Sequence, residues 1–213
     1  DIVGHVTERA ALETGLAAGT PVVTGTGDSG AEAISAGVFQ PGDLMIQLGS
    51  TAFFIYYAQR LCQDTSLWPG SFIVPGSHCL CAGTNAAGLL TQWYRDCLYS
   101  QYLQAELAGG QHAYAAMAQS LKGIPAGSDG LITLPYLLGE RTPINDPLAR
   151  GMIFGLKSRH TREHLYKSAL EGVGYSIMQH YDILLQHGLP VQKIMIIGGG
   201  AKNVLAAAGI ELI

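Results

Sequence analysis

Leu44-Met45-Ile46-Gln47-Leu48-Gly49-Ser50-Thr51-Ala52-Phe53-Phe54-Ile55-Tyr56-Tyr57 is the stretch on which the fold turns. Two runs of large apolar and aromatic residues are separated only by Gly49-Ser50-Thr51, the spacing of a β-hairpin closed by a tight, glycine-assisted turn. Further short β-type runs lie on either side, at 21–24 upstream and at 71–75 and 79–82 downstream, punctuated by glycine and proline. The hairpin itself is expected to occupy 43–48 and 52–58.

From Asn85 the period changes. Leu89, Leu90, Trp93 and Leu98 recur near 3.6 residues and predict a helix, and a second helical stretch is read over 101–121 across the Gly109-Gly110 pair. A strand-like run at 130–134 leads into the polar segment GERTPINDPLARG, 139–151. A long helix then follows, with Thr161 as N-cap, Glu163 in the first turn and Gly188 and Pro190 past its end. Lys193-Ile194-Met195-Ile196-Ile197 reads as a buried strand that runs into Gly198-Gly199-Gly200 and a fresh helix. Hairpins, then helices, then a late strand–glycine–helix unit predict a mixed α/β domain.

The chain of 213 residues carries 13% charged and 48% hydrophobic residues, a lean charge content for a free-standing domain, so part of the surface is expected to be covered by something else. A net charge of −4 without any Lys/Arg cluster argues against nucleic acid or an anionic membrane as the partner. No apolar run approaches the roughly 18 residues of a membrane span, and the N-terminus has no signal-peptide pattern, so the chain reads as cytoplasmic. The four cysteines, Cys62, Cys79, Cys81 and Cys97, form no CxxC pair and read as reduced core thiols. An N-terminal Asp1 and a helical pattern just beginning at the C-terminus lead to the expectation of a piece excised from a longer protein.

Three glycine-rich turns each follow a strand-like run: Gly25-Thr26-Gly27-Asp28-Ser29-Gly30, Leu48-Gly49-Ser50-Thr51 and Gly198-Gly199-Gly200-Ala201-Lys202. Glycine lets a backbone approach a bulky anion and aim successive N–H groups at it, which is what phosphate binding requires. None of the turns matches the Walker loop or the dinucleotide fingerprint. Each alone is also an ordinary strand-ending turn, and Asp28 is also an ordinary turn cap.

In order and spacing, GTGDSGAEAISAGV, IQLGSTAFF, LPYLLGERTPINDPLARGMIFGL, HTREHLYKSALEGV and IIGGGAKN resemble the C-terminal half of the FGGY carbohydrate kinases, the xylulokinase-like members most of all. The resemblance runs from about Pro21 to Asn203, with the GERTP…DPLARG segment its most specific part. It implies the actin-like ATPase (ribonuclease H-like) fold, a mixed sheet flanked by helices, with all of 1–213 forming the ATP-binding lobe. The N-terminal lobe would then be missing and the C-terminus truncated. It further implies that Asp28 is the general base toward a sugar hydroxyl. Gly27, Gly49, Ser50, Thr51, Gly199, Gly200, Ala201 and Asn203 would hold ATP, with Mg²⁺ accompanying the nucleotide and no protein metal ligand assigned. The family more often has Thr-Ser or Thr-Gly at Ser50-Thr51, and VLAAAGIELI after Asn203 departs from the aromatic residue usual there. The implied activity is phosphorylation of a sugar such as D-xylulose, in a protein that could form a homodimer.

Other readings stay open. A non-catalytic sugar- or nucleotide-binding module of the same fold is one. A zinc peptidase is another, because His160-Thr161-Arg162-Glu163-His164 fits the inverted motif H-x-x-E-H. Glu140, Arg141, Asp146 and Arg150 could bind substrate or form a turn-stabilising ion-pair cluster, while Trp68 and Trp93 default to core packing.

Overall fold

A computed structural model describes residues 1–202 of the chain. In chain order the elements are β1 (Ile2–His5), α1 (Glu8–Thr14), β2 (Pro21–Val23), α2 (Asp28–Ser35), β3 (Asp43–Leu48), β4 (Ala52–Ala58), β5 (Trp68–Ser71) and β6 (His78–Thr84). They continue with α3 (Gly88–Leu98), α4 (Ser100–Leu107), α5 (Ala113–Ser120), β7 (Ile132–Leu134), β8 (Met152–Phe154), α6 (Arg162–Gln186) and β9 (Lys193–Ile197).

The hairpin forms as its sequence dictates, with Leu48 opposite Ala52 and Leu44 opposite Tyr56. It is the centre of a five-stranded sheet in the order β5-β6-β4-β3-β9, antiparallel throughout except for β9, which lies parallel to β3. Successive side chains alternate between the two faces. Leu44, Ile46, Phe54 and Leu80 pack on one face beneath Ile177 and Leu184 of α6, and Met45 and Ile55 pack on the other with Ala33 of α2 and Val38. Burial on both faces explains why β3 and β4 read as near-continuous apolar runs, and each fully buried Leu or Ile contributes about 1.5–3 kcal/mol. A third cluster beside the sheet joins Leu90 and Tyr94 of α3, Met117 of α5, and Tyr166 and Ala169 of α6 around Tyr99.

Several expected boundaries shift. The strand expected at 71–75 is instead Trp68–Ser71, because Pro69, which lacks an N–H, is tolerated on an edge strand that pairs only with β6. Pro75 and Gly76 then sit in the turn where Ser77 N donates to Val74 O at 3.0 Å. The single helix expected over 101–121 is two helices. Gly109, at φ +88°, ends α4, with Gly110 N bonded to Ala105 O at 2.8 Å, and the Glu106 carboxylate accepts the Ala113 N–H at 2.7 Å to start α5. β9 is half-buried among the described residues rather than buried. The helix expected after Gly200 appears as a 3-10 turn, Gly199–Lys202, and its continuation lies outside the described residues. The strand β8, and the elements β1 and α1 before Pro21, were not read from the sequence.

β1, α1 and β2 stand apart. β1 and β2 form their own two-stranded sheet, and no residue of the three elements is buried. Cys79 and Cys81 lie in the core with sulfurs 3.8 Å apart, whereas Cys97 is exposed, against the expectation of four core thiols. Trp68 and Trp93 are likewise partly exposed rather than core residues. No described helix is long and apolar enough to cross a membrane.

Candidate functional site

The turn Gly49-Ser50-Thr51 is locked from behind by the start of α3. Gly88 N donates to Gly49 O at 2.9 Å, and Ala87 N and Leu89 N both donate to Ser50 O at 3.0 Å, so the turn's carbonyls are engaged by helix amides. The approach demands glycine, since a Cβ at Gly88 would lie 2.4 Å from Gly49 O. On the other side the Gly198-Gly199-Gly200 turn presses on Leu48, where a Cβ at Gly200 would come within 2.6 Å of the Leu48 Cβ.

Between these turns opens a cavity of about 820 Å³, within the range of small-molecule sites. Its floor is Leu48, Gly49, Ser50, Gly199 and Gly200, and its side wall is Gly88, Thr91 and Gln92 of α3. Another wall is α5 with its N-cap, where Ala115 and Ala118 lie one helical turn apart beside His112 and Tyr114. Lys202 supplies a cation next to the glycine turn. A lining that joins glycine turns and a lysine to small and aromatic side chains suits a ligand with an anionic and a planar part. A second void, about 20 Å³ between the sheet and α6, is lined by apolar core residues such as Leu44, Phe54 and Leu184.

Of the residues singled out in the sequence, Gly49, Ser50, Gly199 and Gly200 are brought together on this cavity, while Thr51 and Ala201 adjoin its wall without lining it. Asn203 lies outside the described residues. Gly27 and Asp28 do not line the cavity. Gly27 is the N-cap of α2 and Asp28 its first residue, exposed, with the carboxylate accepting the Ser29 N–H at 2.8 Å. The α3 and α5 walls were missed, because helical periodicity reports which face is apolar and not which residues meet a turn forty positions away. The alanine pair at 115 and 118 was the available signal.

The segment Glu140-Arg141-Thr142 is organised differently from the ion-pair cluster considered above. Glu140, 3% exposed, accepts the Asn85 N–H at 3.1 Å and the Arg141 N–H at 2.7 Å through Oε1. Arg141 donates to Thr84 O at 2.7 Å and lies over the Trp68 ring at 5.6 Å. Asp146 accepts the Leu148 N–H and Arg150 donates to Pro147 O and Ala149 O, so these side chains serve backbone groups rather than one another. Burial pushes the Glu140 carboxyl above its usual range, opposed by the two N–H bonds it accepts. His180 of α6 is 2% exposed and stacks on Phe54, with Nδ1 2.8 Å from Ser176 O and Nε2 2.8 Å from Thr142 O. Burial holds its pKa below the ordinary histidine value, against the pull of those two carbonyls.

The H-x-x-E-H residues are committed to the helix start. Thr161 N donates to His164 Nδ1 at 3.2 Å in a reciprocal cap, and Glu163 pairs with Arg162 at 2.8 Å. Among the described residues, no three His, Cys, Asp or Glu side chains are grouped to hold a metal ion.

Comparison with known proteins places this architecture. Residues 44–208 match the model of the FGGY family of carbohydrate kinases, C-terminal domain. The chain is 29% identical over 208 residues to xylulose kinase of Bacillus subtilis, covering 95% of this chain and 39% of that protein. It is 27% identical over 205 residues to gluconokinase of the same organism, covering 95% and 40%. The crystal structure of xylulose kinase from Rhodospirillum rubrum superposes with a TM-score of 0.87 at 32% identity, covering 98% of this chain and 41% of that one. The chain thus spans about two fifths of the length of these relatives, and its fold is the actin-like ATPase fold expected from the sequence. On the family match over residues 44–208 and the 0.87 superposition, the chain belongs to the FGGY family of carbohydrate kinases.

Proposed function

We propose that the chain is the nucleotide-binding part of a sugar kinase that transfers the γ-phosphoryl group of Mg-ATP to a sugar hydroxyl. The observation that carries this reading is the 820 Å³ cavity floored by two glycine turns, Gly49-Ser50 and Gly199-Gly200, with Lys202 beside them. The phosphates lie on the glycine floor, where backbone can approach them closely, and the adenosine extends between α3 and α5. Phosphoryl transfer asks little of a protein beyond alignment, neutralisation of charge by the nucleotide's own Mg²⁺ and lysine, and removal of the nucleophile's proton.

Asp28 takes the role of base. It is an exposed carboxylate that accepts the Ser29 N–H, with open space around Gly27 among the described residues for a substrate to come close. Such a group accepts the sugar hydroxyl's proton as that oxygen attacks the γ-phosphorus. The sugar is a ketopentose such as D-xylulose, by likeness to the xylulose kinases, with gluconate the competing substrate by likeness to the gluconokinases. A further lobe of the full-length protein closes over the cavity and covers the apolar side chains left open on β1, β2 and β8, among them Val3, Val23 and Phe154.

An ADP-release assay of the full-length protein with D-xylulose, other ketoses and polyols, and gluconate tests the reading. Turnover is expected with one of these substrates and Mg-ATP. Binding of sugar or nucleotide with no ADP release from any substrate would favour the non-catalytic module instead.

A further inference from the structure

β6 runs beyond its edge partner. β5 pairs with it only from His78 to Cys81, so Gly83 and Thr84 have β4 on one side and, among the described residues, no strand on the other, and Asn85 follows directly after the strand. Three consecutive side chains from far along the sequence fill that edge. Thr142 Oγ1 accepts the Gly83 N–H at 2.8 Å, Arg141 donates to Thr84 O at 2.7 Å, and Glu140 accepts the Asn85 N–H at 3.1 Å. Asn85 returns a bond to Leu138 O at 3.0 Å. The clasp is anchored in turn to α6, because Thr142 meets His180 through both its hydroxyl, at 3.1 Å, and its carbonyl, at 2.8 Å.

Two residues beyond Asn85 begin the amides that hold the phosphate-side turn: Ala87 and Leu89 on Ser50 O, and Gly88 on Gly49 O. The contact between Gly88 and Gly49 leaves no slack for a Cβ, so a small displacement of the strand end is passed directly to the turn. Resting on the function proposed above, we infer that Glu140, Arg141 and Thr142 are positioning residues that fix the Gly49-Ser50 turn against the nucleotide phosphates by clamping the end of β6. They touch no ligand themselves. Their effect therefore falls most on the phosphate end of the nucleotide, because their hydrogen bonds reach the strand end behind the Gly49-Ser50 turn and none of these bonds runs to α5.

The test uses the full-length protein with Thr142→Val, which removes the hydroxyl at nearly constant volume, Thr142→Ser, which restores it, and Glu140→Gln, which keeps both size and the Oε1 acceptor. Calorimetric titration well below the melting temperature compares Mg-ATP with adenosine, and hydrogen exchange follows the amides of Ala87, Gly88 and Leu89. Thr142→Val should weaken Mg-ATP binding about tenfold while leaving adenosine within about twofold, and should speed exchange at those three amides. Thr142→Ser should recover both. If Thr142→Val does not fold, Glu140→Gln carries the same readouts with a loss of about threefold.

Equal weakening of Mg-ATP and adenosine, or a lower melting temperature with both affinities and the three amides unchanged, would overturn the inference and leave the clasp a purely structural edge. A wild-type protein that binds neither ligand would contradict the proposed function. The exchange rates would then decide the clamp on their own, unchanged amides refuting it and faster ones upholding its mechanical part.

Discussion

The two halves of the proposed chemistry sit in regions built on opposite principles. The glycine turn at 49–50 joins two strands of the sheet that are buried on both faces, and the turn at 199–200 follows the half-buried β9 and packs on Leu48. Asp28 follows a hairpin and helix in which no residue is buried, and it opens α2, of which only Ala33 is buried. The phosphate side is preorganised by its own core. The base side depends for its position on whatever covers β1, α1 and β2, which fits a reaction that two bodies must close together to perform.

Leu80 and Leu12 measure that contrast in stability. Leu80 is 2% exposed in the core beneath α6, and Leu80→Ala should cost about 2–5 kcal/mol in denaturant unfolding. Equality with a surface substitution would mean the sheet is not the folding core. In rate, the largest effect should come from Asp28→Asn in the full-length protein, which keeps the size of the side chain and its turn hydrogen bond but cannot accept a proton. kcat should fall by on the order of 10² or more while Mg-ATP affinity barely changes. If Asp28 only caps the turn, kcat stays near wild type and the change appears instead as about 1 kcal/mol or less of stability.

These regions also differed in how far they could be read. β3 and β4 match their expected bounds because a strand covered on its faces must be apolar at successive positions, and β9, though only half-buried, matches because its apolar run ends at Gly198. β5 was misplaced because nothing local says that Pro69 lies on an edge. α4 and α5 were fused because the apolar period survives across Gly109-Gly110, and only the backbone at φ +88° separates them. The cavity floor was legible as glycine turns. Gln92, His112 and Tyr114 were not, since they come to line the same cavity only through helix packing. Glu140 and Arg141 looked like partners for each other or for substrate, whereas each bonds to the backbone of β6 or of the residue after it, which no charge pattern encodes.

Gly88→Ala probes the seam between α3 and the turn. The new methyl would lie 2.4 Å from Gly49 O, so the variant should lose about 1–3 kcal/mol in thermal melting and also bind Mg-ATP more weakly. Gly27, with no atom near its missing Cβ, should accept alanine at under about 1 kcal/mol in the same melt. A similar loss at both glycines would erase the difference between the packed and the open region.

Acid should act on the packed side. Burial lowers the folded-state pKa of His180, so its contribution is fully present above the unfolded histidine value of about 6.5 and is lost as pH falls through the lower folded value. Stability of the wild type to urea should therefore fall as pH drops below about 6.5 and level off once pH is below the folded value, and His180→Gln should flatten this part of the profile. The smallest effect is expected at Leu12, 89% exposed on α1, where Leu12→Ala should change the stability of this chain by no more than about 0.5 kcal/mol.

Hydrogen exchange of the full-length protein with and without Mg-ATP tests most directly whether the cavity is a nucleotide site. Protection is predicted at residues 48–51, 87–92 and 198–202, the three stretches that meet at the glycine floor, with the adenosine moiety adding protection at 112–118. Protection confined to other segments, or none at saturating Mg-ATP, would contradict it.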